Sequence, residues 1–150
     1  MIISKAIMDD ACMLAENNLL LAIESEGEPL EYDTVLDGVR AVLDDETKGF
    51  YLIARENDAI IGQLMITYEW SDWRNECIWW VQSVYVSKDH RKSGVFSKLV
   101  EDVRKRARKA DVSRLRLYVH ITNTLAIDVY RHTSWDEGHY LLFETSVKQS

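Results

Sequence analysis

Proline and cysteine are scarce in this chain. Its 150 residues include a single proline, and its two cysteines are Cys12 and Cys77. Two thiols without further thiols or paired histidines at metal-binding spacing make neither a disulfide framework nor a metal site, so we expect free thiols in a reducing compartment. Repeats, low-complexity tracts and Pro/Ser-rich linkers are also missing, and the length suits one domain over residues 1–150.

Long apolar segments are absent as well. No run approaches the ~18 apolar residues that span a bilayer. The first residues, MIISKAIMDD, lack the basic region and the apolar core of a signal peptide. We therefore expect a soluble, cytoplasmic protein with no membrane partner.

The net charge of −7 conceals a division along the chain. Residues 1–76 carry 17 acidic side chains against 5 Lys/Arg, whereas residues 88–116 carry 11 Lys/Arg against 4 acidic side chains. Such a division suggests two surfaces, one suited to a phosphorylated ligand and one to a cation. Ordinary solvated helix faces would explain the same counts equally well.

The hydrophobic period changes at Gly49 from a helical to a strand-like one, and two-residue alternation dominates the next forty residues. Asn57-Asp58 is typical of a hairpin turn. We expect strands over about 2–6, 50–56, 59–70, 77–86, 113–120 and 139–147, and helices over about 10–23, 33–43, 94–110 and 123–132. The order β-α-α-β-β-β-α-β-α-β predicts an α/β domain with a mixed sheet and helices on both faces.

A cationic turn, RKSGVF, joins the strand that ends near Val86 to the helix that starts near Gly94. The first N–H groups of a helix lack intrahelical partners, and with the helix dipole they favour an anion such as a diphosphate. The turn is neither a GxxxxGK[ST] loop nor a GxGxxG loop. The alternative to an anion site is a capped strand–helix junction whose basic side chains are simply solvated.

A second motif follows the strand RLRLYVH. Asn123 is placed to cap a short helix, and Tyr130 returns to the same helix face about two turns later. Tyr130 could pack in the core or present its hydroxyl to a ligand held between the two central strands.

These two motifs resemble those of the GCN5-related N-acetyltransferases (GNAT). VYVSKDHRKSGVFSKL is similar to the family's V-x-x-x-x-[QR]-x-x-G-x-[GA] motif, and NTLAIDVYRHTSW is similar to N-x-x-A-x-x-x-Y-x-x-x-G-F. The resemblance extends over nearly the whole chain. It implies a central sheet of six or seven strands, splayed between the strands that end near Val86 and His120.

The resemblance also implies an activity, transfer of an acetyl group from acetyl-CoA to a primary amine, and a set of site residues. In the family, backbone groups matching Val84, Tyr85 and Val86 pair with the pantetheine arm of acetyl-CoA. N–H groups of the turn that matches Arg91, Lys92, Ser93, Gly94, Val95, Phe96 and Ser97 hold the diphosphate. Asn123 matches a residue that contacts the arm, and Tyr130 matches the acid that protonates the departing thiolate.

The sequence departs from the family pattern at several positions. Phe96 replaces a small residue, and Ser134-Trp135 replaces Gly-Phe. Trp80 stands where the histone-modifying members have a glutamate base, so the base must be another group. Candidates are Glu69, Asp72, Glu76 and His120, although charged residues in such a turn and a histidine at a strand end are more often simply solvated; a water relay is also open.

The acceptor is expected to be a small cationic or amphipathic amine, because the acidic residues 1–76 include the segments that flank the acceptor site in the family. We expect direct attack by the amine in a ternary complex. Cys77 should stand over 20 Å from the thioester, at roughly 3.3 Å per strand residue, and Cys12 has no nearby histidine to activate it.

Other classes of function remain open. A non-catalytic acyl-CoA sensor would keep the cofactor motif without needing the Tyr130 hydroxyl. A nucleic-acid or ribosome-binding module would use the basic helix within residues 104–116, although the negative net charge disfavours polyanions and we expect no nucleic-acid partner. The tryptophans around residues 70–80 could pack internally, line an acceptor site or form a homodimer surface.

Overall fold

The computed structural model describes residues 1–148, with five strands and four α-helices. The strands are β1 (Ile2–Lys5), β2 (Phe50–Glu56), β3 (Ala59–Ser71), β4 (Glu76–Val86) and β5 (Leu115–Arg116). The helices are α1 (Ala11–Glu26), α2 (Tyr32–Asp44), α3 (Val95–Lys109) and α4 (Thr124–Arg131). Short 3-10 turns cover Met8–Asp10 and Lys88–His90. No helix of the described part of the chain is both long and apolar enough to cross a membrane.

The strands form one mixed sheet in the order β1-β2-β3-β4-β5, antiparallel except for the parallel pair β4–β5. The predicted α/β class, mixed sheet and Asn57-Asp58 hairpin are confirmed, and Asn57 adopts the left-handed conformation that such turns require, with φ +54°. The helices also lie on both faces as expected. One core cluster packs α3 against the sheet, and the other packs α1 and α2 against the opposite face.

The predicted number of strands, six or seven, is wrong for residues 1–148, where five are found. The segment 113–120 contributes only Leu115–Arg116 to the sheet, and 139–147 forms no strand. Alternating apolar residues favour a strand, but a strand exists only where a neighbour supplies its hydrogen bonds. With β5 this short, the last segment has no ladder, and side chains such as Phe143, 86% exposed, stay outside the core.

The splay beside β4 is present as predicted. β4 pairs with β5 only through Trp79–Leu115 and Trp80–Arg116, so within residues 1–148 its edge from Val81 to Val86 faces no strand on that side. On its other side β4 carries a bulge, since Gln63 pairs with Tyr85 but Met65 with Gln82. Ser83 lies in the bulge with φ +50°.

Helix α3 is seated closely on β3. Its apolar face, Val95, Leu99, Val103 and Ala107, is buried as its spacing predicts. Gly62 of β3 makes the close approach possible, because a Cβ atom there would stand 2.5 Å from Cγ1 of Val95. The start of α3, where the cationic turn ends, is thereby held against the strand next to β4.

Candidate active site

A cavity of about 920 Å³ opens where β4 and β5 separate. Its walls come from α1 and the loop after it, from β4, from residues 117–121, and from the C-terminal segment 141–144. Asn123 and Tyr130 complete the lining. The splay therefore creates a space that is lined by Val84 from the first motif and by Asn123 and Tyr130 from the second, whereas the turn over residues 91–97 does not line it.

The predicted arm-binding strand residues differ in their accessibility. Val84 lines the cavity. Tyr85 is buried, with the Arg91 guanidinium 5.6 Å from the centre of its ring. The carbonyl of Val86 already accepts a hydrogen bond from Nε of Arg91 at 3.0 Å. Backbone pairing to an added ligand is thus most accessible near Val84.

The turn over residues 91–97 has the geometry of an anion site. Lys92 and Gly94 both adopt left-handed conformations, with φ +61° and +84°, and such turns aim successive backbone N–H groups into one concavity. The first helical hydrogen bond of α3 runs from the N–H of Lys98 to the carbonyl of Gly94 at 3.1 Å. The preceding N–H groups, those of Val95 to Ser97, are therefore outside the helical pattern.

Arg91 has a second partner that the sequence did not suggest. Its guanidinium donates to Oε2 of Glu24, at the end of α1, at 2.7 Å. Glu24 offsets the charge of Arg91, so the side-chain cations that remain are Lys92 in the turn and Lys88 just before it. The backbone N–H groups of residues 91–97 then carry more of any anion binding than the arginine does.

Tyr130 is held in an aromatic cluster. Its ring centre lies 5.7 Å from that of Phe96 and 6.1 Å from that of Trp135. Burial raises the pKa of the Tyr130 hydroxyl above its usual value. The hydroxyl is therefore protonated at neutral pH and can act as a proton donor at the cavity wall.

Asn123 occupies the N-cap of α4, as predicted. Its side-chain oxygen accepts the N–H of Ala126 at 3.3 Å, which fixes the side chain at the start of the helix. Both Asn123 and Tyr130 line the cavity that Val84 lines. The structure thus brings these three predicted residues together, and Phe96 connects the turn to them through the ring of Tyr130.

Three of the four candidate bases stand away from the cavity wall. Glu69 accepts from Nε1 of Trp80 at 2.8 Å and from Arg116 at 3.1 Å. Glu76 accepts from Oγ of Ser113 at 2.8 Å, and neither these two nor Asp72 lines the cavity.

His120 does line the cavity, but its base nitrogen is occupied. Nδ1 accepts the backbone N–H of Thr122 at 3.2 Å. Because an N–H can only donate, Nδ1 carries the lone pair and the neutral ring has its proton on Nε2. His120 in this arrangement offers the cavity a donor, not a base.

The cavity wall contains functional groups that sequence reasoning did not select as site residues, namely Asn18, Glu26, Gln82, Ser83 and Glu144. Glu26 and Glu144 bring carboxylates from elements far apart in sequence. Gln82 and Ser83 carried a weak signal, because these two polar residues interrupt an otherwise apolar run in WWVQSVYV. Glu26 belongs to the acidic residues 1–76 that were expected near the acceptor, and nothing local marks Asn18 or Glu144.

Two of the five cationic side chains in the basic stretch of α3, residues 104–109, form ion pairs with carboxylates of the same helix. Lys105 pairs with Glu101 at 3.2 Å, and Arg106 pairs with Asp102 at 2.6 Å. Arg104 donates to Oγ of Ser134. The two ion pairs reduce the positive charge along this face without removing it.

Comparison with known proteins agrees with the geometry. Residues 14–134 match the model of the acetyltransferase (GNAT) family. Among solved structures, a possible acetyltransferase from Clostridium difficile 630 is 39% identical, with a TM-score of 0.90, over 99% of this chain and 98% of that one. No curated protein matches the sequence significantly.

Two more distant structures share the fold. A predicted acetyltransferase from Clostridium acetobutylicum, solved with acetyl-CoA, is 18% identical with a TM-score of 0.73, over 94% of this chain and 95% of that one. An aminoglycoside acetyltransferase from an uncultured soil metagenomic sample, in complex with sisomicin, is 14% identical with a TM-score of 0.76, over 98% and 96%. On the family match and the 39% identical structure, the chain belongs to the acetyltransferase (GNAT) family and is an acyltransferase.

Proposed function

We propose that this protein transfers an acetyl group from acetyl-CoA to the primary amine of a small, cationic or amphipathic acceptor. The observation that carries the proposal is the shared cavity, in which the free edge of β4, the Asn123 cap and the protonated Tyr130 hydroxyl meet. The relative solved with acetyl-CoA supports the choice of donor. A single catalytic domain over residues 1–150 is part of the proposal.

The cofactor site is assigned to two backbone segments and one side chain. Val84 to Val86 pair with the pantetheine arm along the edge of β4 that faces the splay. The N–H groups of Arg91 to Ser97 hold the diphosphate. At Gly94 no atom lies within 4 Å of the position that a Cβ would take, which leaves room for the diphosphate oxygens. Asn123 contacts the arm from the opposite wall.

Tyr130 is assigned the role of acid. It donates its proton to the thiolate that leaves when the amine attacks the thioester carbon. Its raised pKa supports this role, because a phenol that stays protonated is available at every turnover near neutral pH.

Transfer is proposed to be direct, without an acetyl-enzyme intermediate. Neither Cys12 nor Cys77 lines the cavity, and no other thiol exists in the chain. The proton of the amine is assigned to water that bridges to Glu26 or Glu144, the carboxylates in the cavity wall within residues 1–148.

The proposed acceptor follows from the composition of the same wall. The two carboxylates favour a cation, and Leu21, Leu30 and Leu142 supply apolar surface for an aliphatic or ring portion. The sisomicin complex of the metagenomic relative concerns that protein, but it supports testing amino sugars here. Polyamines, amino-acid amines and protein N-termini belong in the same test.

Calorimetric titration with acetyl-CoA is the first experiment, because it tests the donor without knowledge of the acceptor. We expect saturable binding at one site per chain, and the absence of binding would refute the proposal. An amine panel follows, with matched cationic and anionic acceptors at low and high salt. We expect turnover of cationic amines that weakens as salt rises; turnover of anionic acceptors alone would contradict the acceptor assignment.

The Tyr130 hydroxyl distinguishes an enzyme from the alternative, a non-catalytic acyl-CoA sensor, because only catalysis requires this hydroxyl.

We also propose a cytoplasmic location, which the two free thiols support. We further propose a homodimer formed through Trp70 and Trp73, whose side chains are 63% and 87% exposed. Sedimentation at several protein concentrations tests the dimer.

A further inference from the structure

A second cavity, of about 320 Å³, lies between the sheet and the last turn of α3. Three aromatic and three cationic side chains line it, and none of them lines the cavity beside the splay. The cationic turn stands at the other end of α3, a helix of 15 residues, and is roughly 20 Å away at about 1.5 Å per residue. The second cavity is therefore separate from the proposed cofactor and acceptor sites.

The aromatic side chains, Phe50, Tyr68 and Trp79, form the apolar wall of the second cavity. The ring centres of Phe50 and Trp79 lie 5.4 Å apart, and those of Tyr68 and Trp79 lie 6.1 Å apart. Phe50 and Trp79 are each 7% exposed, whereas Tyr68 is 39% exposed. A ligand ring can thus pack on Tyr68 and extend the same aromatic cluster, since tilted and offset ring contacts are favourable.

The cationic side chains are Lys5, Arg106 and Lys109, and no carboxylate is among the described residues that line the second cavity. Arg106 and Lys109 belong to the last turn of α3, where cations commonly offset the helix dipole. Lys5 ends β1, and the dipole does not account for its position. Its Nζ stands 4.6 Å from the centre of the Phe50 ring, so tertiary packing brings a third cation to the aromatic wall.

The ion pairs of these cations leave one positive charge uncompensated. Nζ of Lys5 lies 3.7 Å from Oε1 of Glu46 in a solvent-exposed pair. Nε of Arg106 donates to Oδ2 of Asp102 at 2.6 Å, and the two Nη groups make no hydrogen bond within residues 1–148. Lys109 forms no ion pair in that range. Three cations against two carboxylates suit a monoanion better than a dianion.

The volume of the second cavity limits the size of its ligand. Small-molecule pockets are about 300–1,000 Å³, and 320 Å³ is at the lower end of that range. One ring system with a short acidic side chain fits such a volume, whereas a nucleotide does not. Among monoanions a carboxylate suits the planar fork of Arg106 best, because guanidinium and carboxylate groups match in geometry.

We propose that the second cavity binds a small aromatic monocarboxylate, whose ring packs on Tyr68 and Trp79 and whose carboxylate binds Arg106 and Lys109. Its place in the fold, on the face of the sheet that α3 covers, makes this site independent of the proposed acetyl transfer. Lys5 adds charge at the mouth of the cavity, since its contact with Glu46 is of the exposed kind that contributes little.

NMR titration of the isotope-labelled protein tests the site, with benzoate, salicylate, phenylacetate and indole-3-acetate as probes. We expect saturable binding of at least one acid, with shifts of the Trp79 indole and Lys109 backbone resonances. Benzamide keeps the ring without the charge, and acetate keeps the charge without the ring. Each should bind at least about 10-fold more weakly than the best acid, the scale of one charged hydrogen bond or one ring contact.

Lys109→Gln tests the cationic part of the site, with Lys98→Gln as its matched control. Both changes remove one positive charge from an exposed position on α3, so both should leave the fold intact. Lys98 stands about 16 Å from Lys109 along the helix, beyond the Debye length of about 8–10 Å. We expect the affinity for the acid to fall about 10-fold in Lys109→Gln and to stay within about twofold of wild type in Lys98→Gln.

Arg106→Gln and Tyr68→Leu test the other two contacts. Arg106→Gln should weaken binding of the acid by about 10-fold or more, since it removes the carboxylate fork. Tyr68→Leu keeps an apolar side chain but loses the ring, so a fall of about 2- to 10-fold is expected. Thermal melts of each variant without ligand show whether the fold is retained.

Four outcomes would overturn the inference. None of the four acids binds; acetate binds as tightly as the aromatic acids; Lys98→Gln weakens binding as much as Lys109→Gln; or saturating CoA displaces the acid, which would place it in the cofactor site. Binding of the acid with unchanged affinity in the presence of CoA supports a separate site. Failure of the protein to bind acetyl-CoA would refute the proposed function and leave this test unaffected.

Discussion

Phe96 and Tyr130 pack ring against ring, with centres 5.7 Å apart and planes inclined at 59°. Trp135 contacts the same tyrosine ring at 6.1 Å. Phe96 and Trp135 belong to the two places where the motifs depart from the family pattern, so both departures meet at the proposed acid. Together they exclude water from the Tyr130 ring, which is the physical cause of its raised pKa.

Tyr130→Phe tests the acid. The change removes one hydroxyl and keeps the ring packed between Phe96 and Trp135. We expect kcat to fall about 10²-fold with acetyl-CoA binding nearly intact, because general-acid catalysis is lost and the cofactor contacts are not. Steady-state kinetics and calorimetry measure the two effects; a fully active variant would remove Tyr130 from the mechanism and favour another proton donor.

Gly94→Asp tests the diphosphate site, with Gly94→Asn as its control. The two side chains have the same shape, both tolerate the left-handed conformation, and nothing lies within 4 Å of the Cβ position. Aspartate adds a negative charge beside the diphosphate, so the rise in Tm on adding CoA should disappear. Asparagine should retain most of that rise. Equal CoA stabilisation in both variants would mean that the diphosphate binds elsewhere.

Gly62→Ala tests the coupling between β3 and the turn. The new methyl group would meet Cγ1 of Val95 at 2.5 Å and Cδ1 of Leu99 at 3.3 Å, so α3 must shift. We expect a loss of about 1–3 kcal/mol in the free energy of unfolding, typical of overpacking, together with weaker CoA binding. Denaturant titration and calorimetry measure both.

Gly38→Ala provides the comparison, since nothing lies within 4 Å of its Cβ position on α2. This variant should leave the free energy of unfolding unchanged or raise it by up to about 1 kcal/mol. If both alanine variants behave alike, the close approach of α3 to β3 is not a constraint.

Replacing Cys12 and Cys77 together with alanine tests direct transfer. Cys12 is exposed and Cys77 lies partly buried at the start of β4, and neither reaches the cavity. The rate should remain within about twofold of wild type, since neither thiol can reach the acyl group. Mass spectrometry after incubation with acetyl-CoA should detect no acetylated cysteine. A folded but inactive double variant would point to a covalent intermediate.

Stability should fall in alkaline solution. Burial raises the pKa of Tyr51, Tyr68, Tyr85 and Tyr130 in the folded state above the ordinary value of 10.0. The contribution of these four tyrosines to the free energy of unfolding is complete below about pH 10, where their hydroxyls are protonated in both the folded and the unfolded state. Above it the unfolded chain loses protons first, so the free energy of unfolding decreases as pH rises. Thermal melts across this range should show the decline, and it should be shallower in Tyr130→Phe; an equal slope would mean that Tyr130 is not effectively buried.

Local patterns in the sequence predicted much of the fold. The period change at Gly49, the hairpin at Asn57-Asp58, the apolar face of α3 and the Asn123 cap all depend on neighbouring residues, and all are present. The turn before α3 was also identifiable, because Gly94 and the flanking cations lie next to one another in sequence.

The tertiary structure alone decided which distant groups meet. Gln63 contacts residues of α1 across more than 40 positions, Arg91 pairs with Glu24, and Glu69 accepts a hydrogen bond from Arg116. The short β5 and the unpaired segment 139–147 likewise depend on strand pairing, not on alternation. Periodicity records which face of an element is apolar, a local property. Partners, bulges and strand ends depend on contacts between segments far apart, which only the packed chain determines.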